Sequence, residues 1–342
     1  MTLFRSPRSL VVPALAAGAL SACSGGTLAP PGLQAEPDAA TRIPALGALS
    51  APAKNEKRLP LIFVSDGGSR SQPGAVYAYE DSGSNQSPVW ALNASPLKYP
   101  NGLWVDGGGN LYVSDLSGYV YEYATPGASG PPALGFTYED QGYAPNHIAV
   151  CGNYLYASAS GGGGGVVTVW KLGHKTPLKQ VVVAPEGADE GITCDAKTGD
   201  VFVAADQSYD GPGQVYQYKA LASGDPITLG ISLIRAGGIT FDRNFTTLVT
   251  GDSYNAKGPA IEFWKPAGHE PVHAIYGSWI GSPAGFAYAS TDKYLWDVDV
   301  DFATANEFTP GKGTPLDSIT NAGNGMTLAA PNDVAVSPPD HP

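Results

Sequence analysis

The sequence predicts an all-β protein made of six repeats, each a sheet of four short antiparallel strands. Three markers carry this prediction: a strand-start motif, an aromatic strand end and a proline, each present six times at one period. A period of about 45 residues with four strands per unit is typical of sheets that stand as blades around a central channel. The predicted fold class is therefore a six-bladed β-propeller.

The first marker opens strand A, the innermost strand of each blade. Its clearest copy is "NGLWVD" at residue 101. It recurs as "NHIAVC" at 146, "EGITCD" at 190, "GGITFD" at 237, "AGFAYA" at 284 and "NDVAVS" at 332, at intervals of 44 to 48 residues. These alternating apolar positions are those of a half-buried strand.

The other two markers fix strands C and D. Strand C ends on an aromatic residue at Tyr79, Tyr123, Trp170, Tyr218, Trp264 and Phe308. Seven to nine residues later a proline opens strand D, at Pro88, Pro132, Pro177, Pro226, Pro271 and Pro315. In the second blade this places strand A at about 101–106, B at about 110–115 and C at about 118–123. Glycine-rich turns such as "DGGGN" join them.

The two ends of the repeat region complement each other. The first copy begins with strand B, "LIFVSD" at 61–66, and the last strand A, "NDVAVS", has no B, C or D after it. We predict that this C-terminal strand pairs with the first B–D strands and seals the ring, which removes an open sheet edge. An open β-solenoid or a sandwich is the alternative.

One copy also carries a family resemblance. The stretch "PNGLWVDGGGNLYVSDLSGYVYEY" at 100–123 resembles an NHL-type repeat. Over about 60–338 the chain is distantly similar to the gluconolactonase, or senescence-marker, group of six-bladed propellers. The resemblance implies the scaffold, which hosts enzymes and binding platforms alike.

The N-terminus reads as an export signal. Arg5 and Arg8 precede an apolar stretch at 10–20 that is too short to span a membrane, and "LSAC" follows at Leu20–Cys23. This resembles the lipobox of bacterial lipoproteins, which implies cleavage before Cys23 and its acylation. The alternative is an ordinary secretory signal with a chance cysteine.

These features give the predicted organisation. Residues 1–22 form a lipoprotein signal peptide, 23–58 the lipidated cysteine and a flexible tether rich in Ala, Pro, Gly and Ser, and 59–342 the propeller. The predicted location is the bacterial cell envelope, on a periplasmic or cell-surface face, with the chain lipid-anchored and monomeric.

Net charge excludes one class of partner. Removal of residues 1–22 takes away two arginines and no acid, which changes the net charge from −12 to −14. Such an acidic surface repels phosphate backbones, so we predict no nucleic-acid binding.

Candidate site residues follow from the propeller geometry, because the first residues of strands A line the channel entrance. Here they are Asn101, Asn146, Glu190, Gly237, Ala284 and Asn332. Amide and carboxylate oxygens suit calcium, and the gluconolactonase resemblance implies Asn101 as a calcium ligand. Where that group has further acids, this chain has Asn332 and Ala284. Polar side chains that cap turns and bind water are the alternative.

Other candidates are weaker. His147 beside Asn146 could act as a general base together with Glu190. The loops between strands B and C carry Tyr209 and Tyr254, which could form a rim for a sugar, peptide or protein. Aspartates at the ends of strands B would either join that rim or cap their own turns.

Two cysteines remain in the predicted propeller. Cys151 and Cys194 fall on strands A of adjacent blades, one register position apart. In an exported protein they could form a disulfide, and two separate buried thiols are the alternative.

Two classes of function remain. The first is a lipid-anchored, non-enzymatic binding or scaffold module for a protein, peptide or carbohydrate. The second is a calcium- or metal-assisted lactonase or esterase, with ligands from Asn101, Asn146, Glu190 and Asn332. The second requires those four side chains to converge on one point.

Overall fold

The computed structural model contains the predicted ring of blades. It describes residues 60–69, 73–81, 83–127, 129–161, 164–184, 189–207, 212–253, 257–266, 268–289 and 292–337. All of them belong to one compact unit, 57–342. The predicted signal peptide, Cys23 and the tether lie outside the described residues. No helix among the described residues is long and apolar enough to cross a bilayer.

Each blade is an antiparallel sheet of four strands whose innermost member is strand A. Blade 1 contains β1 (Leu61–Asp66), β2 (Ala75–Glu80), β3 (Trp90–Leu92) and a strand from the C-terminus. Blade 2 contains β4 (Pro100–Val105), β5 (Leu111–Asp115), β6 (Tyr119–Tyr123) and β7 (Leu134–Glu139). Blade 3 contains β8 (Ala144–Cys151), β9 (Tyr154–Gly161), β10 (Gly164–Lys171) and β11 (Lys179–Ala184). The predicted strand bounds of blade 2 are therefore correct to within one or two residues.

The remaining blades follow the same order. Blade 4 contains β12 (Asp189–Cys194), β13 (Val201–Asp206), β14 (Gly213–Lys219) and β15 (Ser223–Leu233). Blade 5 contains β16 (Ala236–Phe241), β17 (Leu248–Asp252), β18 (Ala260–Trp264) and β19 (His273–Tyr276). Blade 6 contains β20 (Pro283–Tyr288), β21 (Leu295–Asp299), β22 (Thr304–Phe308) and β23 (Asp317–Ile319). A 3₁₀ turn at Ala220–Ala222 precedes β15. A small hairpin, β24 (Asn321–Gly323) with β25 (Met326–Thr327), follows blade 6 and was not predicted.

The last strand closes the ring as predicted. Strand β26 (Pro331–Ser337) pairs antiparallel with β1, so blade 1 has the order β26-β1-β2-β3. Val334 opposes Val64 and Val336 opposes Ile62 in this pairing. The backbone hydrogen bonds between β26 and β1 therefore close the ring. They also leave β1 without the unpaired inner edge that it would have if β26 were absent.

The core is a ring of interfaces between blades. Within the described residues the buried apolar side chains form six clusters, each built from two neighbouring blades. Blade 2 shows why both faces of its strands carry bulk. Tyr121 and Tyr123 pack towards blade 1, whereas Tyr112 and Val120 pack towards blade 3. Alternation along each strand therefore serves two interfaces at once.

A disulfide reinforces one of these interfaces. Cys151 at the end of β8 and Cys194 at the end of β12 are bonded, with their Cα atoms 6.4 Å apart. Both cysteines are buried. The structure thus joins blades 3 and 4 covalently, where the sequence left separate thiols open.

Candidate functional site

The channel mouth is shaped by a β-bulge at the start of every strand A. In blade 2, Pro100 opposes Asp115 and Leu103 opposes Val113, so two residues share one partner, Ser114. The other inner strands break register at the corresponding place. A bulge leaves a residue outside the ladder and re-aims its side chain.

The bulged positions are those that the sequence placed at the channel entrance. Five of the six line one pocket of about 640 Å³, namely Asn101, Asn146, Gly237, Ala284 and Asn332. The backbone of Glu190 holds the sixth bulge, in β12, but its side chain lies outside the described residues. A volume of this size is within the range of small-ligand sites.

The pocket has two unlike sides. Blades 1 to 3 contribute a row of amides from Asn332, Asn101 and Asn146, and the Asn101 Nδ2 donates to Asn146 Oδ1 over 3.4 Å. Blades 5 and 6 contribute Gly237 and Ala284, which have no side chain or only a methyl. The open space therefore faces a polar wall of amides.

Loop residues that the sequence did not single out complete the open side. Arg235, Ser253, Ser282 and Asp301 line it. The hydroxyls of Ser253 and Ser282 are 3.2 Å apart, and Arg235 Nε lies 3.9 Å from Asp206 Oδ2. The described residues of the open side therefore include the Arg235 cation, the Asp301 carboxylate and two serine hydroxyls.

Buried serines support the amide side. Ser65 and Ser114, on strands B of blades 1 and 2, each donate a hydrogen bond to the main-chain carbonyl of the first bulge residue in the next blade, Asn101 and Asn146 respectively. The same hydroxyls accept hydrogen bonds from the bulged backbone, with Gly102 N 2.6 Å from Ser114 Oγ. These bonds replace ladder contacts that the bulges break.

A second level of the ring lies directly below. The second residue of each strand-A motif is glycine in four blades, and the other two are His147 and Asp333. A Cβ on Gly102 would lie 2.4 Å from Asn146 O, and one on Gly285 would lie 2.1 Å from Asp333 Oδ1. The blades approach so closely here that a side chain is excluded at both positions.

The two exceptions contact each other. His147 Nδ1 donates to Asp333 Oδ2 over 3.2 Å, although blade 2 stands between their blades. Leu103 N also donates to Asp333 Oδ2, at 2.7 Å, and Val334 N to Oδ1, at 2.9 Å. His147 lines both the large pocket and a small cavity beneath it. The sequence suggested Glu190 as its partner, but the Glu190 side chain lies outside the described residues; the contact that the structure shows is with Asp333.

Asp333 was missed although a signal for it existed. In the repeat alignment it stands at the same position as His147, and these are the only copies without glycine there. The polar residues predicted for the site stand at the first position of each motif, and at the second position His147 alone was among them. The contact itself depends on the curvature of the ring, which brings blades 1 and 3 together at the axis.

The donors that the structure describes do not fit a tight calcium site. Calcium takes six to eight oxygens, usually with several carboxylates. Here the amides of Asn101 and Asn146 bond each other, Asp333 is bonded to His147, and Arg235 places a cation on the wall. No group of three or more His, Cys, Asp or Glu side chains in the described ranges converges on a point suited to a metal.

Four of the aspartates at the ends of strands B are structural caps, whereas the fifth, Asp206, accepts a hydrogen bond from Ala236 N of the next blade. Asp115 is buried, and its Oδ2 accepts hydrogen bonds from Lys98 N at 2.6 Å and Tyr99 N at 2.9 Å. Asp66, Asp252 and Asp299 likewise accept two hydrogen bonds each from the backbone that precedes strand A of their own blade. The rim tyrosines Tyr209 and Tyr254 lie outside the described residues.

Comparison with known proteins supports the fold. No protein-family model and no curated protein sequence matches the chain. Among solved structures, a chain of a nidogen/laminin complex is similar with a TM-score of 0.59 and 14% identity over 81% of this chain and 98% of that one. A Bacteroides fragilis protein provisionally named a 6-phosphogluconolactonase is similar with a TM-score of 0.55 and 12% identity over 84% and 99%. At such identities the similarity shows the fold alone.

Proposed function

We propose that this chain is a lipid-anchored binding module of a bacterial envelope that captures a small, hydroxyl-rich ligand at its channel mouth. The observation that carries the proposal is the 640 Å³ pocket, with three amides on one side and room over Gly237 and Ala284 on the other. Each amide can donate and accept at once, as a sugar hydroxyl can. A carbohydrate or a polar peptide loop would match this lining.

The binding test uses defined probes. We expect one or more members of a panel of monosaccharides, sugar acids and short polar peptides to raise the melting temperature of the purified chain. Calorimetry of that probe should show weaker binding to Asn101→Ala and Asn332→Ala. Loss of one neutral hydrogen bond costs about 0.5–1.5 kcal/mol, or roughly two- to tenfold in Kd.

Asn153 provides a matched control. It is exposed in the turn between β8 and β9, at the end of the blade away from the bulges. Asn153→Ala should bind the probe as the wild type does. Equal weakening by all three variants, or no response to any probe, would count against a ligand site at the amides.

The anchoring part of the proposal is supported by "LSAC" at residues 20–23. In a bacterium fed radiolabelled palmitate, the chain should take up label and fractionate with membranes. Cys23→Ala should do neither, whereas Cys151→Ala should still be labelled. Label on Cys23→Ala would show that the acyl chain is attached elsewhere.

A hydrolase is the second candidate, favoured by the His147 ring at the pocket floor. Similarity to a protein provisionally named as a lactonase is compatible with it. Hydrolysis of glucono-δ-lactone or p-nitrophenyl acetate, with calcium or with chelator, tests it directly. Turnover that disappears in Glu190→Ala would favour the hydrolase over the binding module.

A further inference from the structure

Asp333 places a buried carboxylate beside the small cavity below the pocket, and the protein itself supplies partners for it. Its side chain is 7% exposed, and three donors surround it: Leu103 N, Val334 N and His147 Nδ1. A carboxylate buried so deeply requires either a cation or several hydrogen bonds. Val334 N binds Oδ1, and Leu103 N and the imidazole share Oδ2.

The position of His147 is not explained by packing between blades. At the same level four of the other five blades have glycine, because the neighbouring blade leaves no room for a Cβ. His147 instead lines both the large pocket and the small cavity that Asp333 also lines, with its Nδ1 3.2 Å from Asp333 Oδ2. A cation bound to Asp333 Oδ2 would therefore compete with this imidazole for the same oxygen.

We infer that His147 takes the place of a metal ion in this propeller: its imidazole is the built-in partner of Asp333, and it blocks a cation site that Asp333 and the nearby amides would otherwise form. The resemblance to a calcium-dependent group implies a metal at the channel mouth, and the described side chains disagree with that implication. The inference does not depend on which ligand occupies the pocket above.

The substitution that tests the inference opens the blocked position. Calcium chloride titrated into the wild-type chain should give no binding heat and no change in melting temperature relative to chelator. His147→Ala should gain calcium binding, with Kd on the order of 10⁻⁴–10⁻³ M, as in weak extracellular sites. At ten times Kd, calcium should raise the melting temperature of this variant by about 2 °C.

Matched variants assign the gain to Asp333. His147→Ala combined with Asp333→Asn should show no calcium response, because the carboxylate is gone. His147→Ser opens the same space and serves if His147→Ala does not fold. Glu190→Gln on the His147→Ala background should keep the response if Asp333 is the main ligand.

The following outcomes would overturn the inference. The first is stoichiometric calcium on the wild-type chain, by elemental analysis or calorimetry, which needs no variant. The second is a folded His147→Ala or His147→Ser that ignores calcium. Nitrogen-15 NMR gives an independent check, since the Nδ1–H signal of His147 should shift in Asp333→Asn; an unchanged signal would show that the contact does not form in solution. Sugar or peptide binding can fail without affecting any of these results.

Discussion

Two aspartates on strand β21, two residues apart, should respond to substitution in opposite directions. Asp297 and Asp299 are both fully buried, on the face that packs against blade 5. Neither carboxylate oxygen of Asp297 has a hydrogen-bond partner among the described residues. Asp299 accepts bonds from Gly281 N at 2.6 Å, Ser282 N at 3.2 Å and Phe302 N at 3.0 Å.

Asp297→Val should stabilise the protein. At the corresponding position, opposite the third residue of strand A, the other blades have Val64, Val113, Ala157, Val203 and Thr250. An unsatisfied buried polar group costs about 1–3 kcal/mol, and valine removes that cost at similar volume. For a domain of this size 1 kcal/mol moves Tm by roughly 2 °C, so we expect a rise of about 2–6 °C.

The stability gained by Asp297→Val should also depend on pH. Burial raises the pKa of Asp297 well above its usual value, and the nearby Asp299 carboxylate adds to the effect. The folded state therefore holds a proton that the unfolded state releases above about pH 4. Wild-type stability should fall as pH rises from there, and Asp297→Val should lack that component, so the difference between the two should grow with pH.

Asp299→Val is the contrasting variant. It leaves three backbone N–H groups without their acceptor, so we expect a loss of about 2–5 kcal/mol. Chemical denaturation at pH 4 and pH 7, with the m-value checked, measures both. If Asp297→Val destabilises the protein at both pH values, Asp297 has a partner and the reasoning is wrong.

Three further predictions concern single contacts. Burial, with neighbouring carboxylates, raises the pKa of Glu307 to about 7; stability should therefore fall between about pH 4.5 and 7, and Glu307→Gln should flatten that part of a pH–stability curve. Reduction of the Cys151–Cys194 disulfide, which spans 43 residues, should lower the free energy of unfolding by about 2–4 kcal/mol. Dithiothreitol should therefore lower the melting temperature of the wild type and leave that of a Cys151→Ser/Cys194→Ser double variant unchanged. Gly285→Ala places a methyl 2.1 Å from Asp333 Oδ1 and should cost about 1–3 kcal/mol by denaturation, with a neutral result indicating that the strands can separate there.

The architecture could be predicted because it is repeated. The strand pattern alternates in polarity every two residues and recurs every 44 to 48 residues, so six copies indicate the same strand boundaries independently. The repeat alignment also predicted the pairing of β26 with β1 that closes the ring, because the first copy lacked strand A and the last lacked strands B to D. Local sequence also sufficed for the strand-start residues Asn101, Asn146 and Asn332, which the bulges direct into one pocket.

Other features depend on contacts between blades that no local pattern encodes. The pairing of His147 with Asp333 joins residues 186 positions apart across the channel. Whether Cys151 meets Cys194 depends on the angle between adjacent blades, and the role of Asp115 as a cap depends on where the preceding loop returns. Sequence periodicity determined which side chains reach the axis and the blade interfaces. The closed ring decided which of them meet, because its curvature, and not strand register, sets the distances between different sheets.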